Sequence, residues 1–125
     1  FNIGLDSAHN VPDGLPNTTD NNNMIWPVPM GGGYHFMKFE GYFTDSTGSY
    51  GYAMHIGKNE NLVKVQLDTN FTIGENATHL PLIMNLNEWF RNPYIYDFNV
   101  DGNYSMSSAP AMAKLKANGT DVFHF

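Results

Sequence analysis

The sequence predicts an all-β fold, an antiparallel β-sandwich with one short C-terminal helix. Hydrophobic residues make up 42% of the 125 residues and aromatic residues 14%, enough apolar side chain to balance the entropy lost on folding. Only 14% of the residues are charged. Asn, Gly, Thr and Ser supply most of the polarity, which suits short strands joined by turns. The length fits a single domain over residues 1–125.

The strands are predicted from alternating apolar and polar residues and from β-branched and aromatic content. Five segments have this character: residues 1–5, 34–43, 50–56, 62–67 and 78–84. The second and third are joined by a short turn, so we expect them to form a β-hairpin. Residues 6–29 contain Pro, Gly, Asn and Asp throughout and are predicted to be a long loop. Residues 121–125 are a further strand or a tail.

Helix signals occur in two places near the end of the chain. Asn85 and Glu88 have the spacing of a capping box that begins a single helical turn. Trp89, which follows, is expected to pack that turn onto the sheet. Residues 108–119 are the one clear helix, with Ser108 as N-cap, a proline in the first turn and Asn-Gly at the end.

Composition and charge exclude several classes of function. The formal net charge is -6 with only six Lys and Arg residues, and these do not cluster, which disfavours nucleic acid and anionic membranes as partners. The chain has no cysteine, which excludes disulfides, thiolate zinc sites and blue-copper sites. Nucleophile elbows, phosphate-binding loops and His-Glu-x-x-His helices are missing. We therefore expect a protein that is not an enzyme.

Histidines are the most informative polar residues. The chain has five: His9, His35, His55, His79 and His124. His35 and His55 lie on the two strands of the predicted hairpin and can point to one face. Two imidazoles brought together in this way suit copper or zinc, and thioethers from nearby methionines would favour Cu(I). Four methionines lie near enough in the sequence: Met24, Met30, Met37 and Met54. The alternative is that each is a buried histidine with one hydrogen bond and no ligand.

Strand alternation predicts what surrounds each histidine. His35 falls on the same face of its strand as Met37. His55 falls on the same face as Ala53 and Gly57, which are small and leave room for an ion. Trp26, at the end of the long loop, is expected to cover the core or to take part in the site.

A series of short motifs resembles the MbnP-like domain, the family of methanobactin-associated periplasmic copper-binding proteins. The motifs occur in order: Phe1-Asn-Ile-Gly-Leu-Asp-Ser-Ala-His-Asn10, Met24-Ile-Trp26, Gly33-Tyr34, Lys38-Phe-Glu-Gly41 and Met54-His-Ile-Gly57. The later stretches 85–93, 96–98 and 114–123 are similar to members of the Bacteroidetes type. The resemblance covers nearly the whole chain.

The resemblance implies a β-sandwich that is exported to the periplasm or cell surface, often as a lipoprotein. It implies copper held by two histidines beside a tryptophan that can be oxidised to kynurenine. A di-haem cytochrome of the MbnH type, related to cytochrome c peroxidases, is the oxidising partner that it implies. The family domain begins further upstream, so residues 1–125 are expected to be a single MbnP-like domain that lacks its N-terminal strands.

Four residues carry these implications into the present sequence. His55 matches the family's His-x-Gly position, and Trp26 matches the tryptophan that becomes kynurenine. His9 lies in the region of the family's other histidine. His35 occupies a position where an apolar residue is common, so it is a supplementary or replacement ligand. Pro27-Val-Pro29 replaces the family's second aromatic residue, which weakens the kynurenine prediction more than the metal prediction.

Two other classes of function remain open from the sequence. One is a glycan- or protein-binding module of an envelope complex, with Trp26, Tyr34 and Tyr50 as stacking platforms and other envelope proteins as partners. The other is a purely structural envelope component in which the metal site has been lost.

Overall fold

The computed structural model describes residues 1–72, 74–75 and 79–125. The strands are β1 (Asn2–Ile3), β2 (His35–Thr44), β3 (Ser49–Gly57), β4 (Val63–Lys64), β5 (Ile83–Met84) and β6 (Phe123–His124). The α-helices are α1 (Thr19–Asn23), α2 (Phe98–Asp101) and α3 (Ala109–Asn118). Short 3-10 turns lie at Val28–Met30, Asn59–Asn61, Leu86–Phe90 and Gly119–Asp121. No helix among these described residues is long and apolar enough to cross a membrane.

The β2–β3 hairpin is the framework of the molecule and confirms the predicted pair. The two strands pair antiparallel from Thr44 opposite Ser49 to His35 opposite Gly57. The Asp45 carboxylate closes the turn by accepting hydrogen bonds from Thr47 and Gly48. Short polar side chains stabilise tight turns in this way, so the local sequence is sufficient to set the hairpin.

The remaining strands are shorter than predicted. β4 covers two residues of the predicted 62–67 strand, and β5 covers the end of 78–84, whose first residue, Thr78, lies outside the described residues. In the described part of the chain β1 pairs with β4, β2 with β3 and β5 with β6, giving three two-stranded sheets. The antiparallel β-rich class is confirmed, whereas the sandwich stays a prediction.

The C-terminal helix confirms its prediction, and two further short helices were not foreseen. Ser108 caps α3 through its hydroxyl, which accepts a hydrogen bond from the Ala111 N–H at 3.3 Å. Thr18 caps α1 inside the predicted loop by accepting from the Asn21 N–H. An Asn-rich segment has low intrinsic helix propensity, so its sequence did not indicate α1.

The predicted capping box takes a different form. The Asn85 side chain accepts a hydrogen bond from the Asn87 N–H. The Asn85 side-chain amide also donates to Glu88 at 3.1 Å, so Glu88 bonds the cap side chain rather than its backbone. Trp89, which is 2% exposed, belongs to the core as predicted.

The core lies on one face of the hairpin, under α3 and the 3-10 turn Leu86–Phe90. Met54 and Ile56 of β3 are fully buried there, together with Val63 and Leu115. Burial of side chains of this size stabilises the fold by about 1.5–3 kcal/mol each. The opposite face of the hairpin is left free for polar residues, and it carries the candidate site.

Candidate metal site

A β-bulge at the start of β2 brings His35 onto the face of the hairpin that carries His55. His35 pairs with Gly57, but Met37 pairs with Ile56, so β2 contains one extra residue at this point. An extra residue reverses the alternation of side chains. The sequence-based assignment of His35 to the face of Met37 is therefore wrong, because it assumed strict alternation. Met37 packs against the core instead.

Trp26 covers this end of the hairpin. Its indole is 0% exposed, and its Nε1–H donates a hydrogen bond to the Met30 carbonyl at 3.2 Å. The indole ring lies 4.7 Å from the His35 ring, centre to centre. Gly57 makes this position possible, because a Cβ there would lie 2.3 Å from Trp26 Cε3.

The His35 ring is buried with one nitrogen bonded and one free. The residue is 8% exposed, and Nδ1 lies 3.1 Å from the Met24 carbonyl oxygen. A carbonyl only accepts, so Nδ1 carries the hydrogen and Nε2 keeps its lone pair. Nε2 is buried and has no hydrogen-bond partner. Burial lowers the pKa of His35 below its ordinary value of 6.5, so the ring is neutral at neutral pH.

The His55 ring shows the same arrangement with the nitrogens exchanged. Nε2 lies 2.7 Å from Glu40 Oε1, so Nε2 donates to the carboxylate. Nδ1 is buried and has no hydrogen-bond partner. The hydrogen bond from His55 lowers the pKa of Glu40 below its usual value, which keeps the carboxylate ionised.

The backbone of His55 is held by Ser105, from a segment fifty residues further along the chain. The Ser105 hydroxyl accepts a hydrogen bond from the His55 N–H at 2.6 Å and donates to the His55 carbonyl at 2.7 Å. Ser105 is 0% exposed. Both backbone groups of His55 on the outer edge of β3 are therefore satisfied by one side chain.

The two imidazoles are adjacent, at a separation that a shared ion would allow. Their ring centres lie 5.0 Å apart, with the rings nearly perpendicular. Since a metal–imidazole bond is about 2.0 Å long, two rings that share an ion have centres at most about 6 Å apart. Each ring has one buried nitrogen without a hydrogen-bond partner. The other nitrogen of each ring is fixed by a hydrogen bond, as is usual for metal-bound histidines.

The structure does not bring His9 into a three-histidine cluster. His9 lies in an exposed turn, where its Nδ1 is 2.6 Å from Asp6 and its side chain is 70% exposed. Among the residues that the structure describes, no group of three or more His, Asp or Glu side chains is placed to hold an ion. The arrangement seen here is a pair, His35 and His55, and a ligand role for His9 stays a prediction.

The four methionines near the site fall into two pairs with different surroundings. Met37 and Met54 pack in or against the core, on the face opposite the histidines. Met24 and Met30 accept hydrogen bonds through their backbone carbonyls, from His35 and Trp26 respectively. These two carbonyls therefore help to position the His35 and Trp26 rings, and a thioether contribution from Met24 or Met30 stays a prediction.

The exposure of three aromatic residues tests whether they can serve as stacking platforms in a glycan-binding module. Trp26 is 0% exposed and Tyr34 is 4% exposed, so neither ring offers a free face to a sugar. Tyr50 is 41% exposed. That assignment of Trp26 and Tyr34 is wrong, because the 24–34 segment folds back onto the hairpin through a bridge between Ile25 and Tyr34.

Two residues of the site were missed by sequence reasoning. Glu40 shares a face with His55, since it pairs with Ala53 two residues away, and strand alternation alone could have indicated this. Ser105 gave no signal, because its contact with His55 spans fifty residues.

The fold and the site together define a β-rich domain with a pair of adjacent imidazoles and a buried tryptophan beside them. The MbnP family model matches residues 1–109, and the chain belongs to the MbnP family. A search of curated proteins and a search of solved structures found no significant match.

Proposed function

We propose that this chain is an exported copper-binding protein that takes up, delivers or stores the metal without catalytic turnover. His35 Nε2 and His55 Nδ1 are the ligands, and Trp26 forms the wall beside them. Membership of the MbnP family is consistent with copper as the metal. We further propose the periplasm or cell surface, with a lipoprotein anchor, as the location.

The observation that carries this proposal is the pair of buried nitrogens without hydrogen-bond partners, His35 Nε2 and His55 Nδ1. Leaving a polar group buried and unpaired costs about 1–3 kcal/mol. Two such groups in adjacent rings are unusual in a native protein. A metal ion that accepts both lone pairs would account for both at once.

The type of donor supports copper. Neutral imidazole suits copper and zinc, whereas carboxylate-rich sites suit calcium, magnesium and manganese. Structural zinc is almost always held by four ligands, and the described residues present only two here. A low-coordinate site against an aromatic wall fits copper better. A bound copper ion would supply a redox-active centre next to the Trp26 indole.

The family's oxidised tryptophan is part of the same proposal. Trp26 lies 4.7 Å from the His35 ring and is fully buried. We propose a di-haem cytochrome of the MbnH type as the partner that oxidises it to kynurenine. Peptide mapping of the protein from its native source tests this step, and an unmodified Trp26 would remove the step without affecting the two ligands.

Copper binding is tested by anaerobic titration of the purified protein with Cu(I) against a chromophoric competitor, with metal content measured on protein from its native source. We expect one copper ion per chain, and strong loss of affinity in His35→Ala and in His55→Ala. His124→Ala is the matched control, because His124 is an exposed histidine on β6. Unchanged copper binding in both site variants would show that the ligand assignment is wrong.

A further inference from the structure

The structure assigns to Glu40 the role of a positioning residue for the metal site. We infer that its carboxylate holds the His55 ring in the tautomer and orientation that leave a lone pair on the buried Nδ1. The inference rests on the proposed function, since it explains how one of the two ligands is prepared.

The hydrogen bond between His55 and Glu40 selects one of two orientations of the imidazole ring. Nε2 of His55 and Oε1 of Glu40 are 2.7 Å apart, which is the short distance typical of a bond to an ionised acceptor. Rotating the imidazole by half a turn about its Cβ–Cγ bond would present carbon Cε1 to the carboxylate in place of Nε2. The same rotation would put carbon Cδ2 where Nδ1 now lies. The carboxylate therefore distinguishes the ligating orientation from the one that cannot bind metal.

In the described part of the chain, no second hydrogen bond orients the His55 ring. His55 Nδ1 has no hydrogen-bond partner, and Ser105 holds only the backbone of His55. Among the described residues, Glu40 makes the one hydrogen bond to the His55 ring. His35 differs, since its ring is fixed by a backbone carbonyl, that of Met24.

The Glu40 side chain contacts His55 but remains exposed to solvent. Glu40 lies on β2 opposite Ala53, diagonal to His55 on the same face. Its side chain is 55% exposed, whereas that of His55 is 12% exposed. The carboxylate reaches in from the solvent-facing side, so replacing it should leave the core on the other face unchanged.

The expected effect follows from known partners of metal-bound histidines. A carboxylate that accepts the second ring N–H fixes the tautomer and increases the basicity of the ligating nitrogen, and its loss weakens metal binding about 10- to 100-fold. Gln at this position keeps an oxygen acceptor without the charge, so Glu40→Gln should lie between the native protein and Glu40→Leu.

The first measurement uses the metal-free protein with nitrogen-labelled histidine. Long-range proton–nitrogen NMR spectra report which ring nitrogen of His55 carries the hydrogen. We expect a downfield Nε2 proton protected from exchange with water in the native protein. It should persist in Glu40→Gln and vanish in Glu40→Leu. Glu60→Leu is the control of equal charge change, because Glu60 is exposed on another turn.

The second measurement is the affinity for Cu(I) by competition, with circular dichroism to confirm folding. We expect a loss of about 10- to 100-fold in Glu40→Leu and no loss in Glu60→Leu. An affinity in Glu40→Leu equal to that of the native protein would overturn the inference. Should Glu40→Leu fail to fold, Glu40→Ala replaces it with the same expected losses.

The two measurements separate failure of this inference from failure of the proposed function. If the native protein does not bind Cu(I), the proposed function is wrong, and the NMR signal of metal-free His55 decides the role of Glu40. Loss of the protected Nε2 proton in Glu40→Leu then supports positioning, and its persistence overturns it.

Discussion

Replacing Gly57 by alanine tests whether the packing of Trp26 requires a residue without a Cβ at position 57. A Cβ at Gly57 would lie 2.3, 2.6 and 2.8 Å from three carbons of the indole, whereas carbon atoms in contact are about 3.5–4.0 Å apart. Trp26 cannot move aside freely, because its Nε1–H bonds the Met30 carbonyl and its ring rests on His35.

The magnitude depends on how Trp26 responds. If the indole shifts within its site, the cost is that of overpacking, about 1–3 kcal/mol. If it is expelled, the molecule loses the burial of roughly 150–250 Å², or about 4–6 kcal/mol. We therefore expect Gly57→Ala to lower the free energy of unfolding by at least about 1 kcal/mol and to weaken copper binding, since the wall beside His35 is displaced.

The assay is urea denaturation followed by tryptophan fluorescence, with Gly51→Ala as the matched control. Gly51 lies on the same strand and the same face, but the nearest atom to its added Cβ is 3.9 Å away. Because alanine is favoured over glycine in a strand by roughly 0.5–1 kcal/mol, Gly51→Ala should be neutral or stabilising. Equal stabilities of the two variants would refute the close packing of Trp26 on Gly57.

Two further predictions concern stability without metal. Burial lowers the pKa of His35, so the unfolded chain binds more protons than the folded protein between the lowered pKa and about 6.5. The free energy of unfolding should therefore fall as pH drops through this window. His35→Gln should flatten this part of a plot of unfolding free energy against pH. An unchanged slope would contradict the lowered pKa of His35. Ser105→Ala leaves the N–H and the carbonyl of His55 without their partner. We expect it to lower the free energy of unfolding by about 2–4 kcal/mol in a denaturation experiment. Ser107→Ala, at an exposed serine, should cause no loss.

Local patterns predicted the elements that depend on neighbouring residues. The β2–β3 hairpin follows from alternating apolar residues around a turn closed by Asp45. Helix α3 follows from the Ser108 cap and the Asn-Gly that ends the pattern. Both contain their own stabilising contacts, so a short stretch of sequence is enough to indicate them. The pairing of His35 with His55 as a candidate site was also foreseen from their strands.

Tertiary structure decided the features that make those histidines a site. A single extra residue in β2 places His35 on the face of His55. A prediction that assumes strict alternation along a strand does not reveal such a bulge. Ser105 hydrogen-bonds the backbone of His55 across fifty residues of chain. Trp26 covers His35 because the 24–34 segment folds back onto the hairpin. The sequence by itself determined which residue types were available as ligands and which strands would carry them. Only the three-dimensional fold decided which ring nitrogens are buried without partners, because burial and hydrogen bonding depend on contacts between segments that no local pattern records.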